Sequence, residues 1–158
     1  METVLTFYLI GTPNLASGVN DLIERKRILL VDDHVEHLEL ITIMLGDEYD
    51  VLAYPSAEEA LGIAEEFKPD LLVLDVCMHS IDGVQCLQAI RARPGCTTIP
   101  AIALTALARD VEKAALLSAG FQDIVTKPIF DPESLRRKLD RLMESPDQTW
   151  LMRDRSVA

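Results

Sequence analysis

Between residues 28 and 144, short apolar runs alternate five times with longer segments of helical period, and four of the five runs stop on an acid, a hydroxyl or a lysine. Ile28-Leu29-Leu30-Val31 and Leu71-Leu72-Val73-Leu74 are apolar without a break, the pattern of strands covered on both faces. Strands of that kind separated by helices form βαβ units. Their right-handed crossovers bring the carboxyl end of every strand to one edge of a parallel sheet. Ligands in such sheets sit at that edge, where the strand order reverses. Topology thus predicts the place of the site ahead of any motif.

The remaining strands are expected at Val51 to Tyr54, Ile99 to Leu104 and Ile124 to Thr126. In the first helix Val35, Leu38, Ile41 and Leu45 recur at spacings of three and four, with Glu36 and Glu39 on the wet side. Ser56 with Glu59 forms a capping box for a second helix that buries Ala60, Ile63, Ala64 and Phe67 and ends at Lys68-Pro69. Asp82 caps a third helix, Val84 to Arg93, closed by Pro94-Gly95. A fourth, about Asp110 to Ala119, takes Gly120 as its C′ residue, and Asp131-Pro132 opens a fifth that reaches Met143. The fold class is α/β: a doubly wound, five-stranded parallel sheet in the flavodoxin-like order 2-1-3-4-5, with five helices. Residues 1–27 read as an N-terminal extension, broken at Gly11-Thr12-Pro13-Asn14 and ending in Arg25-Lys26-Arg27, residues 28–144 as the domain, and residues 145–158 as a tail. Val4 to Ile10 offers a possible edge strand.

Charge narrows the function classes. The net charge of -11 lies wholly in residues 28–144, which hold 10 Lys and Arg against 21 Asp and Glu. Such a surface repels a phosphate backbone, so nucleic acid is not an expected partner. Val4 to Ile10 is too short to cross a bilayer and lacks the basic flank of a secretory signal. Cys77, Cys86 and Cys96 are odd in number and carry no metal-ligand spacing, which suits a reduced, cytoplasmic setting.

The strand ends carry the chemistry. Asp32 with Asp33, then Asp75, Thr105 and Lys127, follow strands one, three, four and five. Strand one lies beside strand three in the expected order, so three carboxylates converge and raise one another's pKa unless a cation neutralises them. Mg²⁺, held by one or two carboxylates plus water and a phosphate oxygen, fits that pattern. A lysine and a small hydroxyl beside it suit an incoming phosphoryl group, with Asp75 as nucleophile.

Residues 28–144 resemble the receiver domain of two-component response regulators. "ILLVDDH" resembles the family's first strand with its acidic pair, "LLVLDVCMHSIDG" its phosphoacceptor strand and loop, "PAIALTALA" its threonine strand and "GFQDIVTKPI" its lysine-proline strand. The resemblance implies Asp75 as phosphoacceptor and Asp32, Asp33, Asp75 and the Cys77 carbonyl as Mg²⁺ ligands. It makes Lys127 the phosphoryl-contacting lysine, Thr105 the switch hydroxyl and Ala106 the small residue beside it, and it implies a cis peptide before Pro128. Only 14 residues follow Glu144, too few for an output domain, so a stand-alone regulator is expected. The resemblance implies that it is phosphorylated by a histidine kinase or histidine phosphotransfer protein and signals to a downstream protein through helix four, strand five and helix five. The only chemistry expected is its own phosphorylation and dephosphorylation. Two positions depart from the family: His79 replaces the usual proline of Met-Pro, and Ile124 replaces the usual switch aromatic. With Ile124, output falls on helix four and its flanking loops.

Other readings compete. Asp32-Asp33 alone suits a helix N-cap pair. His34 and His37 invite a transition-metal site but at this spacing more often face solvent. His79 reads as a loop residue, and redox sensing by Cys77 is a faint alternative. A pseudo-receiver that binds partners irrespective of phosphate is the alternative function. An aspartyl phosphatase wants a second acid two residues after its nucleophile, where Cys77 stands.

Overall fold

The computed structural model describes residues 24–106 and 109–144. Five parallel strands, β1 (Arg27–Val31), β2 (Asp50–Tyr54), β3 (Leu71–Asp75), β4 (Ala101–Thr105) and β5 (Asp123–Thr126), form one sheet in the order β2-β1-β3-β4-β5. The helices are α1 (Val35–Leu45), α2 (Ala57–Phe67), α3 (Gly83–Arg91), α4 (Asp110–Ser118) and α5 (Pro132–Glu144). This is the expected doubly wound sheet in its expected order. Leu107 and Ala108, Val4 to Ile10 and residues 145–158 lie outside the described residues.

Side chains alternate across a strand, so the unbroken apolar runs feed two cores. Leu29, Val31, Leu72, Leu74, Ala101 and Ala103 face one way, onto α2 and α3. Ile28, Leu30, Leu71, Val73, Ile102 and Leu104 face the other, onto Leu38, Ile41 and Leu45 of α1 and Leu135, Leu139 and Leu142 of α5. Each such fully buried Leu or Ile contributes about 1.5–3 kcal/mol. Every residue of β3 is buried, which central placement in the sheet requires.

The register sets the site. Val31 pairs with Leu74, and Asp75 pairs with Leu104, so Asp32 and Asp75 leave adjacent strands side by side. Thr105 pairs with Thr126, which brings Lys127 to the same edge. A Cβ at Gly83 would lie 2.4 Å from the Asp75 carbonyl oxygen, so only glycine lets the start of α3 pass this close to the end of β3.

Four local expectations need correction. Val35, in the first turn of α1, is 38% exposed, and Thr42 takes a buried position on that helix instead. β4 begins at Ala101 and not at Ile99, because Pro100 has no N–H and joins the ladder only through its carbonyl, which accepts from Leu72 N at 2.9 Å. Ser56 Oγ accepts from Glu59 N at 3.3 Å, but the Glu59 carboxylate turns to the Ser56 hydroxyl at 3.2 Å, so the return half of a capping box is replaced by a side-chain bond. The reciprocal box forms at α3, where Asp82 and Gln85 bond each other's backbone N–H at 2.8 and 3.2 Å. α3 accordingly starts at Gly83, one residue ahead of the expected Val84. Gly120 follows α4 with φ +111°, and Asp131 Oδ1 accepts from Glu133 N at 3.1 Å at the start of α5, both as expected.

Candidate functional site

Asp32 is fully buried at the end of β1, and both its oxygens are engaged. Oδ1 accepts from His34 N at 2.9 Å and lies 3.2 Å from His34 Nδ1. Oδ2 accepts from Lys127 Nζ at 2.6 Å and lies 3.1 Å from His37 Nδ1. Asp32 is therefore not a helix cap; the N-cap residue of α1 is His34, whose side chain makes no capping bond.

Asp75, 2% exposed, has one oxygen held and one free. Oδ1 accepts from Cys77 N and sits against Lys127 Nζ, each at 3.2 Å, whereas Oδ2 is buried without a hydrogen-bond partner. Burial, and then the charge of Asp32, push its carboxyl above the usual carboxylate range against the opposing pull of Lys127. Asp33 also has one occupied oxygen, Oδ2, which accepts from His79 N at 3.2 Å and contacts His79 Nδ1 at 2.5 Å. Its buried Oδ1 lacks a hydrogen bond, although His34 Nδ1 stands 3.0 Å away. Burial acts to raise the Asp33 carboxyl, but the hydrogen bonds from His79 outweigh it and hold the group below its ordinary value. The same contact raises the His79 imidazole.

Thr105 is buried at the end of β4, and its carbonyl accepts from Lys127 N at 2.8 Å. The peptide before Pro128 is cis. Ile124, on β5, is partly buried against the α2–α3 core. The structure thus gathers Asp32, Asp33, Asp75, Lys127 and Thr105 at one edge, while Ile124 pairs with Ala103 two residues before Thr105. One lysine bridges two of the three carboxylates, Asp32 and Asp75. Asp33 and Asp75 each keep a buried oxygen with no hydrogen bond, so the donor set fits a hard divalent cation.

The histidines add contacts to the sequence reading. His34 and His37 are substantially solvent-exposed and His79 lies in an exposed loop, as expected, and all three also place Nδ1 on the acidic pair. For His34 and His37 the available signal was their position two and five residues after Asp32, which returns a ring over the strand end once α1 begins. His79 reaches Asp33 across 46 residues, and nothing local announces that contact.

The cysteines divide by environment. Cys77 is exposed in the loop after β3, while Cys86 and Cys96 are buried, and burial, followed by Glu58 and Asp82, pushes the Cys86 thiol up to about 12. A disulfide reagent at mildly alkaline pH is expected to titrate one thiol in the native protein and all three after denaturation. Three rapidly reacting native thiols would contradict this arrangement.

Among the described residues, no helix is long and apolar enough to cross a membrane. Residues 28–140 match the family model of the response regulator receiver domain. A 14.6 kDa protein of Leptolyngbya boryana is 44% identical over 111 residues, covering 70% of this chain and 84% of that protein. The DNA-binding response regulator MtrA of Mycolicibacterium smegmatis is 33% identical over 78% of this chain, which spans only 54% of MtrA. Among solved structures, chemotaxis protein CheY4 of Vibrio cholerae aligns with a TM-score of 0.70 at 27% identity, over 75% of this chain and 98% of its own. The receiver domain of the Pseudomonas aeruginosa sensor histidine kinase PA1611, described with magnesium coordinated in its active-site cleft, aligns with a TM-score of 0.69 at 32% identity, over 77% of this chain and 100% of its own. With its sheet order, its acidic strand-end pocket and a family match over most of its length, the chain belongs to the response regulator receiver family.

Proposed function

We propose that this receiver accepts a phosphoryl group on Asp75 from the phosphohistidine of a histidine kinase or histidine phosphotransfer protein. Mg²⁺ would be held by Asp32, Asp33, Asp75 and the main-chain carbonyl of Cys77. The observation that carries this reading is the buried, unpartnered Oδ2 of Asp75 beside an oxygen fixed by Cys77 N and Lys127. One oxygen orients the carboxylate, and the other remains available to react.

In the transfer, an Asp75 oxygen forms the new O–P bond as the P–N bond of the donor breaks and its electron pair returns to the donor imidazole. Bound Mg²⁺ supplies positive charge against the phosphoryl oxygens and relieves the repulsion among the three acids. Lys127, 3.2 Å from Asp75, offsets charge on the transferring group, and the Thr105 hydroxyl donates to it as the switch contact. Ile124 stands on β5 at the position of the usual switch aromatic.

The chemistry stays on Asp75: the acyl phosphate forms and hydrolyses, and no external substrate is turned over. The output is a protein contact made in the cytoplasm through α4, β5 and α5, with one of two arrangements favoured by phosphate. The acidic domain itself is proposed to make no nucleic-acid or membrane contact. The DNA-binding role in the name of MtrA belongs to a protein nearly twice as long as the matched region.

The test is incubation with Mg²⁺ and acetyl phosphate. One phosphoryl group per chain is expected, released by hydroxylamine and absent when the divalent ion is chelated. A hydroxylamine-resistant label, or one that forms without the ion, would overturn the reading. A pseudo-receiver reading draws on the full engagement of Asp32 by His34, His37 and Lys127. It predicts the same partner affinity with and without beryllofluoride, whereas phosphate-dependent output predicts a difference.

A further inference from the structure

We propose that the His34 imidazole ligates a nitrogen-accepting transition dication such as Co²⁺, Ni²⁺ or Zn²⁺ in this pocket but not Mg²⁺, making the pocket select such an ion over Mg²⁺ more strongly than three carboxylates would. The inference rests on the cation-binding reading given above and assigns it a ligand outside the acidic set.

The first support is how the ring is used. His34 is the N-cap residue of α1, with extended backbone at φ −95° and ψ 112°, and its side chain does nothing for the helix end. The ring stays half exposed, with Nδ1 3.0 Å from Asp33 Oδ1 and 3.2 Å from Asp32 Oδ1. The 3.0 Å approach has the length of a hydrogen bond but not its geometry, since Asp33 Oδ1 has no hydrogen-bond partner. Neighbouring ligands of one octahedral ion at about 2.1 Å from the metal are themselves about 3.0 Å apart.

The second support is independent of that pair. Asp75 Oδ2, on a side chain 3% exposed, lacks a partner beside the same space. One ligand atom from each of Asp32, Asp33, His34 and Asp75 falls within a mutual 4.8 Å, so a small inward adjustment brings all four to the about 4.2 Å maximum separation of ligands on a single ion. Three oxygens and one imidazole nitrogen form a borderline donor set, which favours later first-row dications beyond what oxygen alone provides.

His37 also groups with Asp32 and His34 within a mutual 4.8 Å, but its Nδ1 lies on the far oxygen of Asp32, 3.2 Å from Lys127 Nζ, so a cation already occupies its side. His79 is 91% exposed and holds Asp33 through Oδ2, the oxygen away from the unsatisfied one. His34 ligates through Nδ1 with its proton on Nε2, and the hydrogen bond to Asp32 is given up on binding.

The experiment titrates the ion-free chain calorimetrically with Co²⁺ and separately with Mg²⁺, using wild type, His34→Ala and His79→Ala. The Co²⁺ complexes are also examined by proton NMR for a hyperfine-shifted, exchangeable imidazole N–H. His34→Ala is expected to weaken Co²⁺ binding by about 10- to 100-fold, no less than loss of a group behind a ligand does. It should also remove the shifted N–H signal and leave Mg²⁺ binding intact, which shows that the variant is folded. His79→Ala should retain the wild-type preference and signal. Mg²⁺ and Co²⁺ binding with an affinity ratio unaltered by His34→Ala overturns the inference and spares the cation site. Failure of the wild type to bind either ion overturns both.

Discussion

Asp75→Asn is expected to abolish phosphate incorporation from acetyl phosphate in the presence of Mg²⁺, a fall on the order of 10³-fold or more, as loss of a nucleophile produces. The same variant should be more stable than the wild type in the absence of divalent ions. Burial and the neighbouring Asp32 raise the Asp75 carboxyl in the folded protein, so its ionised form favours the unfolded chain. A raised carboxylate is a stability deficit at neutral pH that is relieved as pH falls through its folded value. The Tm gain from Asp75→Asn, a few degrees at neutral pH, should therefore shrink on acidification. Asn keeps an oxygen for Cys77 N and Lys127, so the hydrogen bonds at 3.2 Å survive and the charge alone is removed. Wild-type labelling of Asp75→Asn would show that this carboxylate is not the acceptor, and a loss of stability at neutral pH would show that it is not a source of repulsion.

Lys127→Met is expected to have the largest effect on stability. The lysine is 13% exposed and bridges Asp32 at 2.6 Å to Asp75 at 3.2 Å, while both carboxylates are essentially inaccessible to water. Methionine keeps most of the volume but leaves two buried charges uncompensated, a loss of about 3–5 kcal/mol. Two conditions should recover part of it: acidification, because the orphaned carboxylates then protonate, and Mg²⁺, because a cation replaces the ammonium. In urea denaturation the variant should show a lower midpoint than wild type and gain more from Mg²⁺. An unchanged midpoint would mean that Lys127 is not the counter-charge of the pocket.

The sheet order and the strand-end residues were legible because both follow from local patterns. A run such as Leu71-Leu72-Val73-Leu74 fixes a central strand, and the residue after it must emerge at the ligand edge. Asp32, Asp75 and Lys127 were found this way, although 95 residues separate the ion pair of Asp32 and Lys127. The contacts of the histidines with the acidic pair were not legible for a physical reason. A ring beside a helix start faces solvent or the strand end according to its rotamer, and sequence periodicity carries no information about rotamers. His79 could be placed only by knowing that the loop after β3 folds back toward β1. The same limit hid the role of Arg91, which donates to the carbonyls of Ile99 at 2.9 Å and Gly120 at 2.8 Å and to Gln122 at 3.1 Å, joining α3 to the chain around β4 and β5. In the sequence it is one more basic residue near a helix end.

If folding collects Asp32, Asp33 and Asp75 into a pocket that a divalent cation completes, readying Asp75 for phosphorylation, a heteronuclear NMR titration with Mg²⁺ should saturate at one ion per chain. The largest amide shifts are expected at Asp33, His34, Cys77 and Thr105, with the response lost in Asp33→Asn. Amides that do not move at saturating Mg²⁺, or shifts centred away from the carboxyl edge of the sheet, would mean that the three acids do not form a cation site.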